Sequence, residues 1–316
     1  MKRRALWALL TLVACVASAA DFDYHLQAQA VAPSVAVFVG QREDFDTRNG
    51  GNIVNTGFIA APQGLIVIDS GPSLRYGQQM RAAMRALSPQ AIALVINTHH
   101  HPDHFLGNQA FADAPLAALP ATAQGIASEG NAFAENLFRL SGDWLKGTEV
   151  RVPQGSLQAG EQVIAGRALR LLALDGHTDA DLAVYDHASG VLFAGDLVFH
   201  DRAPTTPHAD LAHWLAALDQ LEAITREPGF RVLVPGHGLP ARDAGPIRQT
   251  RAWLLWLQER LQTAARNGLD MNEVLRQPLP AEFARMPLAA SEYRRSVAHL
   301  YPAIEAASLA QGGVQQ

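Results

Sequence analysis

The stretch NTHHHPDHFLGN, residues 97–108, places His99, His100, His101 and His104, a third of the chain's twelve histidines, within six positions of one another. The preceding segment ALVINT (93–98) reads as a buried strand, so the histidines emerge from a strand end. Residues two apart on a strand share a face, which lets His99 and His101 converge on one point while His100 turns the opposite way. Pro102 then starts a turn, and Asp103 and His104 reach toward a second point. Neutral imidazole and carboxylate are suitable ligands for zinc and similar divalent metals.

Three further strand ends carry the same kind of signal. Gly176-His177-Thr178 follows RLLALD, Gly195-Asp196 follows VLFA, and Gly236-His237-Gly238 follows RVLVP. Each puts one ligand-type side chain directly after an apolar run, beside glycine that permits close backbone approach. Four strand ends presenting His or Asp toward one edge point to a metal centre.

Around these motifs the chain alternates. VAVFVG, NIVNTGFIA and LIVIDSG between Val35 and Gly71 read as antiparallel strands joined by Gly-rich turns. RYGQQMRAAMRAL follows as a helix, with Ser73 as N-cap and Tyr76, Met80, Met84 and Leu87 at helical spacing. A second helix contains ATAQGIASEGNAFAENLFRL. RALRLLALDGHT, DLAVYDHASG, VLFAGDLVF and RVLVPGHG are strand-like, with ADLAHWLAALDQLEAI as a helix before the last of them. From residue 246 the character is helical. IRQTRAWLLWLQERLQTAARNG carries Trp253, Trp256, Leu257 and Leu261 as a packing face, and SEYRRSVAHLYPAIEAASLA is a final helix expected to break near Pro302. QGGVQQ is expected to fray. Two strand-rich halves with helices outside imply an α/β layered sandwich.

The first twenty residues, MKRRALWALLTLVACVASAA, have the basic tip, apolar run and small-residue end of an export signal (residues 1–20), with cleavage after Ala19 or Ala20. Leu12-Val13-Ala14-Cys15 offers the alternative of a lipoprotein anchored through Cys15. Cys15 is the only cysteine, so the exported chain has neither a disulfide nor a thiolate ligand. Without Lys2, Arg3 and Arg4, 22 basic side chains face 30 acidic ones, which excludes the basic footprint of a nucleic-acid partner.

Taken together, THHHPDH, GHT, FAGD and PGHG resemble the metallo-β-lactamase superfamily over about Ala32 to Pro240. The resemblance implies a four-layered αββα sandwich over residues 21–245, with residues 246–316 as a helical extension packing on it. It implies two zinc ions per chain, with iron or manganese as alternatives. His99, His101 and His177 would hold the first ion, Asp103, His104 and His237 the second, and Asp196 would bridge them. True β-lactamases of the superfamily tend to have cysteine or serine at the bridging position; aspartate there is more similar to glyoxalase II and lactonases. The stretch GDLVFHDRAPTTPHADLAHWLAALDQL, with PGHG and the tail SEYRRSVAHLYP, resembles the exported quinoprotein relay system zinc metallohydrolases, relatives of the SoxH-like proteins. That implies a periplasmic location and a functional link to a PQQ-dependent dehydrogenase.

The expected activity is hydrolysis of a small ester, thioester, lactone or amide by a hydroxide shared between the two metals, with Asp103 orienting the nucleophile or passing its proton. Two alternatives are a mononuclear-iron persulfide dioxygenase and a non-catalytic protein that binds or delivers a cofactor. Asp69, at the end of LIVIDSG, is either a carboxylate that orients a ligand histidine or a turn residue. Thr178 is expected to fix its loop, and His100 to pack behind the site. His200, Arg202 and His208 fall where a rim would lie; Arg202 either grips an anionic substrate or is a solvated surface residue. Trp144 is a candidate cover.

Overall fold

The computed structural model describes residues 22–312; residues 1–21, where the expected export signal and Cys15 fall, and residues 313–316 lie outside the described residues. Strands β1 (Ala28–Ala32), β2 (Val35–Phe38), β3 (Thr56–Ala61) and β4 (Gly64–Ile68) form an antiparallel run. Helix α1 (Leu74–Leu87) then crosses over to β5 (Ile92–Ile96), which pairs parallel to β4. A one-turn helix α2 (Pro102–Phe105) follows, and β6 (Leu116–Ala118), α3 (Pro120–Ser141) and β7 (Gly155–Ser156) complete a seven-stranded sheet in the order β1 to β7.

The second sheet has five strands in the order β12-β11-β10-β9-β8. They are β8 (Gly160–Ile164), β9 (Arg167–Leu174), β10 (Asp181–Asp186), β11 (Val191–Phe193) and β12 (Val232–Val234), the last parallel to β11 across helix α4 (Leu211–Thr225). Helices α5 (Gly245–Arg266), α6 (Met271–Arg276), α7 (Ala281–Ala284) and α8 (Ala289–Gly312) follow.

The period-two alternation of the strands makes this four layers. Val35, Val37, Ile66 and Ile68 face Leu182, Val184, Val191 and Val234 in a core between the sheets. Their neighbours Ala36, Phe38, Leu65 and Val67 point outward onto Tyr76, Met80 and Met84 of α1 and Ile126 and Leu137 of α3. On the other side Ala183, Tyr185, Leu192 and Leu233 pack against Trp214 and Leu218 of α4, Trp253 and Leu257 of α5, and Val297 of α8. The arrangement is helix, sheet, sheet, helix, with the C-terminal helices in the outer layer of the second sheet.

Three local expectations are corrected. NIVNTGFIA is strand only from Thr56, because Gly50 and Gly51 adopt positive φ and turn the chain just before it. Leu87 is 61 % exposed, so the buried face of α1 ends at Met84. Helix α8 runs through Pro302 unbroken. Proline removes one helical hydrogen bond, but Tyr293, Val297 and Tyr301 are fully or nearly fully buried against the α5 layer and hold the helix in place. The expected cap of α1 is present: the Ser73 hydroxyl accepts the Tyr76 backbone N–H at 3.0 Å.

Candidate metal centre

All four motif-bearing strand ends open at the same edge. Strand β5 delivers His99 and His101, and α2, which has Pro102 at its first position, presents Asp103 and His104 one turn further on. The loops after β9, β11 and β12 bring in His177, Asp196 and His237 from the second sheet. The seven side chains fall into two groups. His99, His101, His177 and Asp196 form one, and Asp103, His104 and His237 the other, with the ligand atoms within each group no more than 4.8 Å apart.

Asp196 lies between the groups. Its Oδ2 is 3.9 Å from His99 Nε2, 3.4 Å from His177 Nε2 and 3.1 Å from His237 Nε2, and its Oδ1 is 3.1 Å from His104 Nε2. Asp103 Oδ2 stands 3.5 Å from His237 Nε2 and 3.8 Å from His104 Nε2.

The outer ring nitrogens decide which atoms face inward. His237 Nδ1 donates to the Ile53 carbonyl at 2.7 Å, and His104 Nδ1 to Asp69 Oδ2 at 2.8 Å. In a neutral imidazole this leaves a lone pair on each Nε2, aimed at a carboxylate oxygen of Asp196. Two acceptors so close repel unless a cation lies between them. His99 Nε2, His104 Nε2 and Asp196 Oδ1 are all buried without a hydrogen-bond partner, a state that costs about 1–3 kcal/mol per group if nothing engages it. These orphaned inward atoms, on borderline donors, fit divalent metal ions.

Electrostatics agree. Burial, reinforced by neighbouring imidazoles, holds His99 and His101 well below the ordinary histidine range, and burial pushes His177 down to about 3. Burial also opposes charge on His104, yet the carboxylates of Asp196, Asp69 and Asp103 together raise it well above that range. Without a metal, a proton on His104 takes the place of a cation beside Asp196.

Supporting residues fix the ligands. Asp69 accepts the Thr98 backbone N–H and hydroxyl, both at 2.8 Å, as well as His104, so it orients a ligand histidine from a left-handed backbone (φ 57°). Thr98 Oγ1 in turn lies 3.1 Å from His99 Nδ1, and His208 Nδ1 lies 2.8 Å from His101 Nε2. Glycine is required at Gly176, where φ is 139° and a Cβ would come within 2.3 Å of the Trp214 backbone. At Gly236 a Cβ would meet Asp196 Oδ1 at 1.9 Å.

Two supports were not anticipated from sequence. Buried Asp181 accepts the backbone N–H groups of His177 and Thr178 at 3.0 and 2.9 Å and the Thr178 hydroxyl at 2.9 Å, tying down the loop that carries His177. Burial pushes its carboxyl up to about 8 against these donors. Asn55 donates to the carbonyls of Pro235 and Gly238 at 2.8 and 2.6 Å and accepts the Gly40 N–H, bracketing His237. The signal that could have found Asp181 is the second aspartate of GHTDAD, residues 176–181; Asn55 carries none.

Of the other candidates, Thr178 fixes its loop and His100 packs behind the ligands against Gly125 and Phe133. A cavity of about 350 Å³ opens onto His101, Asp103, Asp196 and His237, and Arg202 and His208 line it. His200 turns aside: its Nδ1 donates to the Leu239 carbonyl at 2.6 Å. Trp144 does not cover the site. Its ring packs on Tyr24 at 4.4 Å and its Nε1 donates to the Thr47 carbonyl at 2.8 Å, because the segment at Phe22–Tyr24 supplies it with an aromatic nest.

Comparison with known proteins places this geometry. The chain is 23 % identical over 286 residues to a linear primary-alkylsulfatase of Pseudomonas sp. (strain ATCC 19151), covering 76 % of this chain and 53 % of that protein. It is 33 % identical over 135 residues to a hydroxyacylglutathione hydrolase of Synechococcus sp. (strain JA-3-3Ab), covering 42 % and 45 % respectively. The chain thus spans about half the length of these curated relatives. Among solved structures, a metallo-β-lactamase from Pontibacter korlensis superposes with a TM-score of 0.58 at 22 % identity, over 73 % of this chain and 99 % of that one, and shares the fold. The family model for the metallo-β-lactamase superfamily matches residues 49–257, which takes in all four ligand-bearing strand ends, and the chain belongs to that superfamily.

Proposed function

We propose that the chain is an exported hydrolase that holds two divalent metal ions, zinc in the first instance, and cleaves a small ester, thioester, lactone or amide. The observation that carries this reading is the position of Asp196, whose two oxygens address histidines of both groups. His99, His101 and His177 would hold one ion and Asp103, His104 and His237 the other, with Asp196 shared. The named activities of the alkylsulfatase and the hydroxyacylglutathione hydrolase are hydrolytic, which supports hydrolysis here. Aspartate at position 196, in place of cysteine or serine, favours esters and thioesters over β-lactams as the main substrates.

Zinc ions held there supply Lewis acidity toward a carbonyl oxygen and toward water. The chain's own residues do the rest. Asp69, Thr98, His208 and the Ile53 carbonyl hold four imidazoles in fixed orientation. Asp103, at the cavity wall beside His237, is placed to accept a proton from an attacking water and to return it to the leaving group. The fixed ring orientations mean that little reorganisation is needed as charge develops.

The narrower assignment is to the quinoprotein relay system zinc metallohydrolases, in the periplasm and serving a PQQ-dependent dehydrogenase. Its support is the sequence from Gly195 to Leu221 and the tail from Ser291 to Pro302. The test is metal content and turnover of protein purified after export without chelator. About two zinc ions per chain, with ester, thioester, lactone or amide hydrolysis that a chelator abolishes and zinc restores, is the expected result. A single iron per chain with oxygen uptake on persulfides would overturn it.

A further inference from the structure

We infer that His100, His101 and His208 form a further cation site on the cavity wall, for an additional zinc-type divalent ion, and that an ion held there blocks the cavity. The blocking effect rests on the hydrolase reading above; the binding does not.

The first metal group supplies the yardstick. The rings of His99, His101 and His177 have their centres 4.7–5.0 Å apart. Those of His100, His101 and His208 have theirs 5.1–5.7 Å apart. Three imidazoles on one zinc ion, each bonded at about 2.0–2.1 Å, place their ring centres roughly 5 Å apart. The second triangle is therefore only slightly more open than the first, and each of its rings offers a nitrogen within 4.8 Å of the others.

His101 belongs to both triangles. Its Nδ1 lies 2.9 Å from His177 Nε2, and its Nε2 lies 2.8 Å from His208 Nδ1, so two edges of one ring address the two sites. Adjacent nitrogens on one zinc ion are separated by about 3 Å. The contact through which His101 donates to His208 thus has a length at which an ion can replace the proton. His100 adds the third donor. It is 5 % exposed, and its Nδ1 is buried without a hydrogen-bond partner, with Asp179 Oδ1 4.0 Å away. No partner at Nδ1 fixes its tautomer, so the ring can present a lone pair to a cation.

Phe133 on α3 is centred 6.0 Å from His100, 6.0 Å from His101 and 6.1 Å from His208, and gives the triangle one apolar side. His208 is exposed and lines the cavity with His101 and Phe133, so an ion reaches this site directly from solvent and then occupies space that a substrate needs. The proton balance makes the site weaker than the first two. With the first group filled, an ion here must displace the Nε2 proton of His101 to solvent, leaving an imidazolate between two ions.

The test uses the zinc-loaded full chain, dialysed against graded zinc and analysed for metal per chain. About two tight equivalents and one more, weaker by about 100-fold or more, are expected. Filling the weaker site should release about one proton per ion, read from calorimetry in buffers of different ionisation heat. His208→Ala, and His100→Phe, which keeps a ring against Phe133, should each lose the weaker equivalent and keep the tight ones. Excess zinc should slow ester hydrolysis by the wild type about tenfold, and by either variant about twofold or less relative to its own rate without excess zinc. A wild type that takes up no zinc beyond the tight equivalents would overturn the inference. So would a weaker equivalent retained in both variants, which is the mark of surface binding. If one tight equivalent is found instead of two, the two-metal reading fails, while the difference between wild type and His208→Ala still decides this site.

Discussion

Asp69 Oδ2 lies 2.8 Å from His104 Nδ1, and the same carboxylate holds both the backbone N–H and the hydroxyl of Thr98. One acid at the end of β4 thereby sets the orientation of a ligand on α2 and of the strand end that carries two more.

Replacing Asp69 by Asn should therefore weaken metal binding with the fold retained, by about 10- to 100-fold at the group containing His104. Asp69→Ala should in addition leave the buried Thr98 N–H unpaired, at a cost of about 1–3 kcal/mol. Zinc competition with a chromophoric chelator, together with urea unfolding, checks both. Wild-type zinc affinity in Asp69→Asn would contradict the orienting role.

Asp196→Ala should empty both groups rather than one. Zinc content measured by elemental analysis is expected to fall from about two ions per chain to well under one, with turnover lost in parallel. Loss of a single ion would assign Asp196 to one group only.

The metal-free chain should lose stability as the pH falls. His99, His101 and His177 have folded-state pKa values below the unfolded value, His177 at about 3. Below about 6.5, where free histidine protonates, the unfolded state binds more protons, so stability present above that pH is lost progressively toward pH 3. The raised His104, Asp181, Asp103 and Glu292 act in the opposite sense and offset part of that loss. Urea midpoints of chelator-treated protein at pH 7.5 and 4.5 give the sign; a higher midpoint at the lower pH would refute it.

Pro302→Ala should stabilise the chain, because it restores the helical hydrogen bond to the Ala298 carbonyl without disturbing Tyr301 or Val297. A gain of about 1–3 kcal/mol is expected in urea unfolding. An unchanged midpoint would mean that the bond was already compensated.

The metal motifs were legible because each couples a strand end to a short polar signature, and local rules carry that far. The i, i+2 spacing of His99 and His101 signalled their convergence although β5 itself ends at Ile96, and Tyr76, Met80 and Met84 mark a helix face by spacing. What local rules missed was settled by partners distant in sequence. Asn55 acts on residues some 180 positions away, at Pro235 and Gly238. Pro302 is tolerated because of packing against another helix, and Trp144 is claimed by aromatic rings at the start of the described chain. Arg202 was placed at a rim by its distance from Asp196, but its burial depends on α8, which enters nearly ninety residues later.

The division of the seven candidate ligands between two sheets has a consequence for how the molecule is made. His99, His101, Asp103 and His104 come with the first sheet, and His177, Asp196 and His237 with the second. Neither half owns a complete set, so a nascent chain with only its first sheet formed offers an ion a partial grip. On the proposed two-metal reading, firm capture would wait until the sheets have docked, which would make metal uptake a late event and a report on correct assembly. A cation that arrives early can dissociate again, and a mispaired intermediate is not locked in place by it.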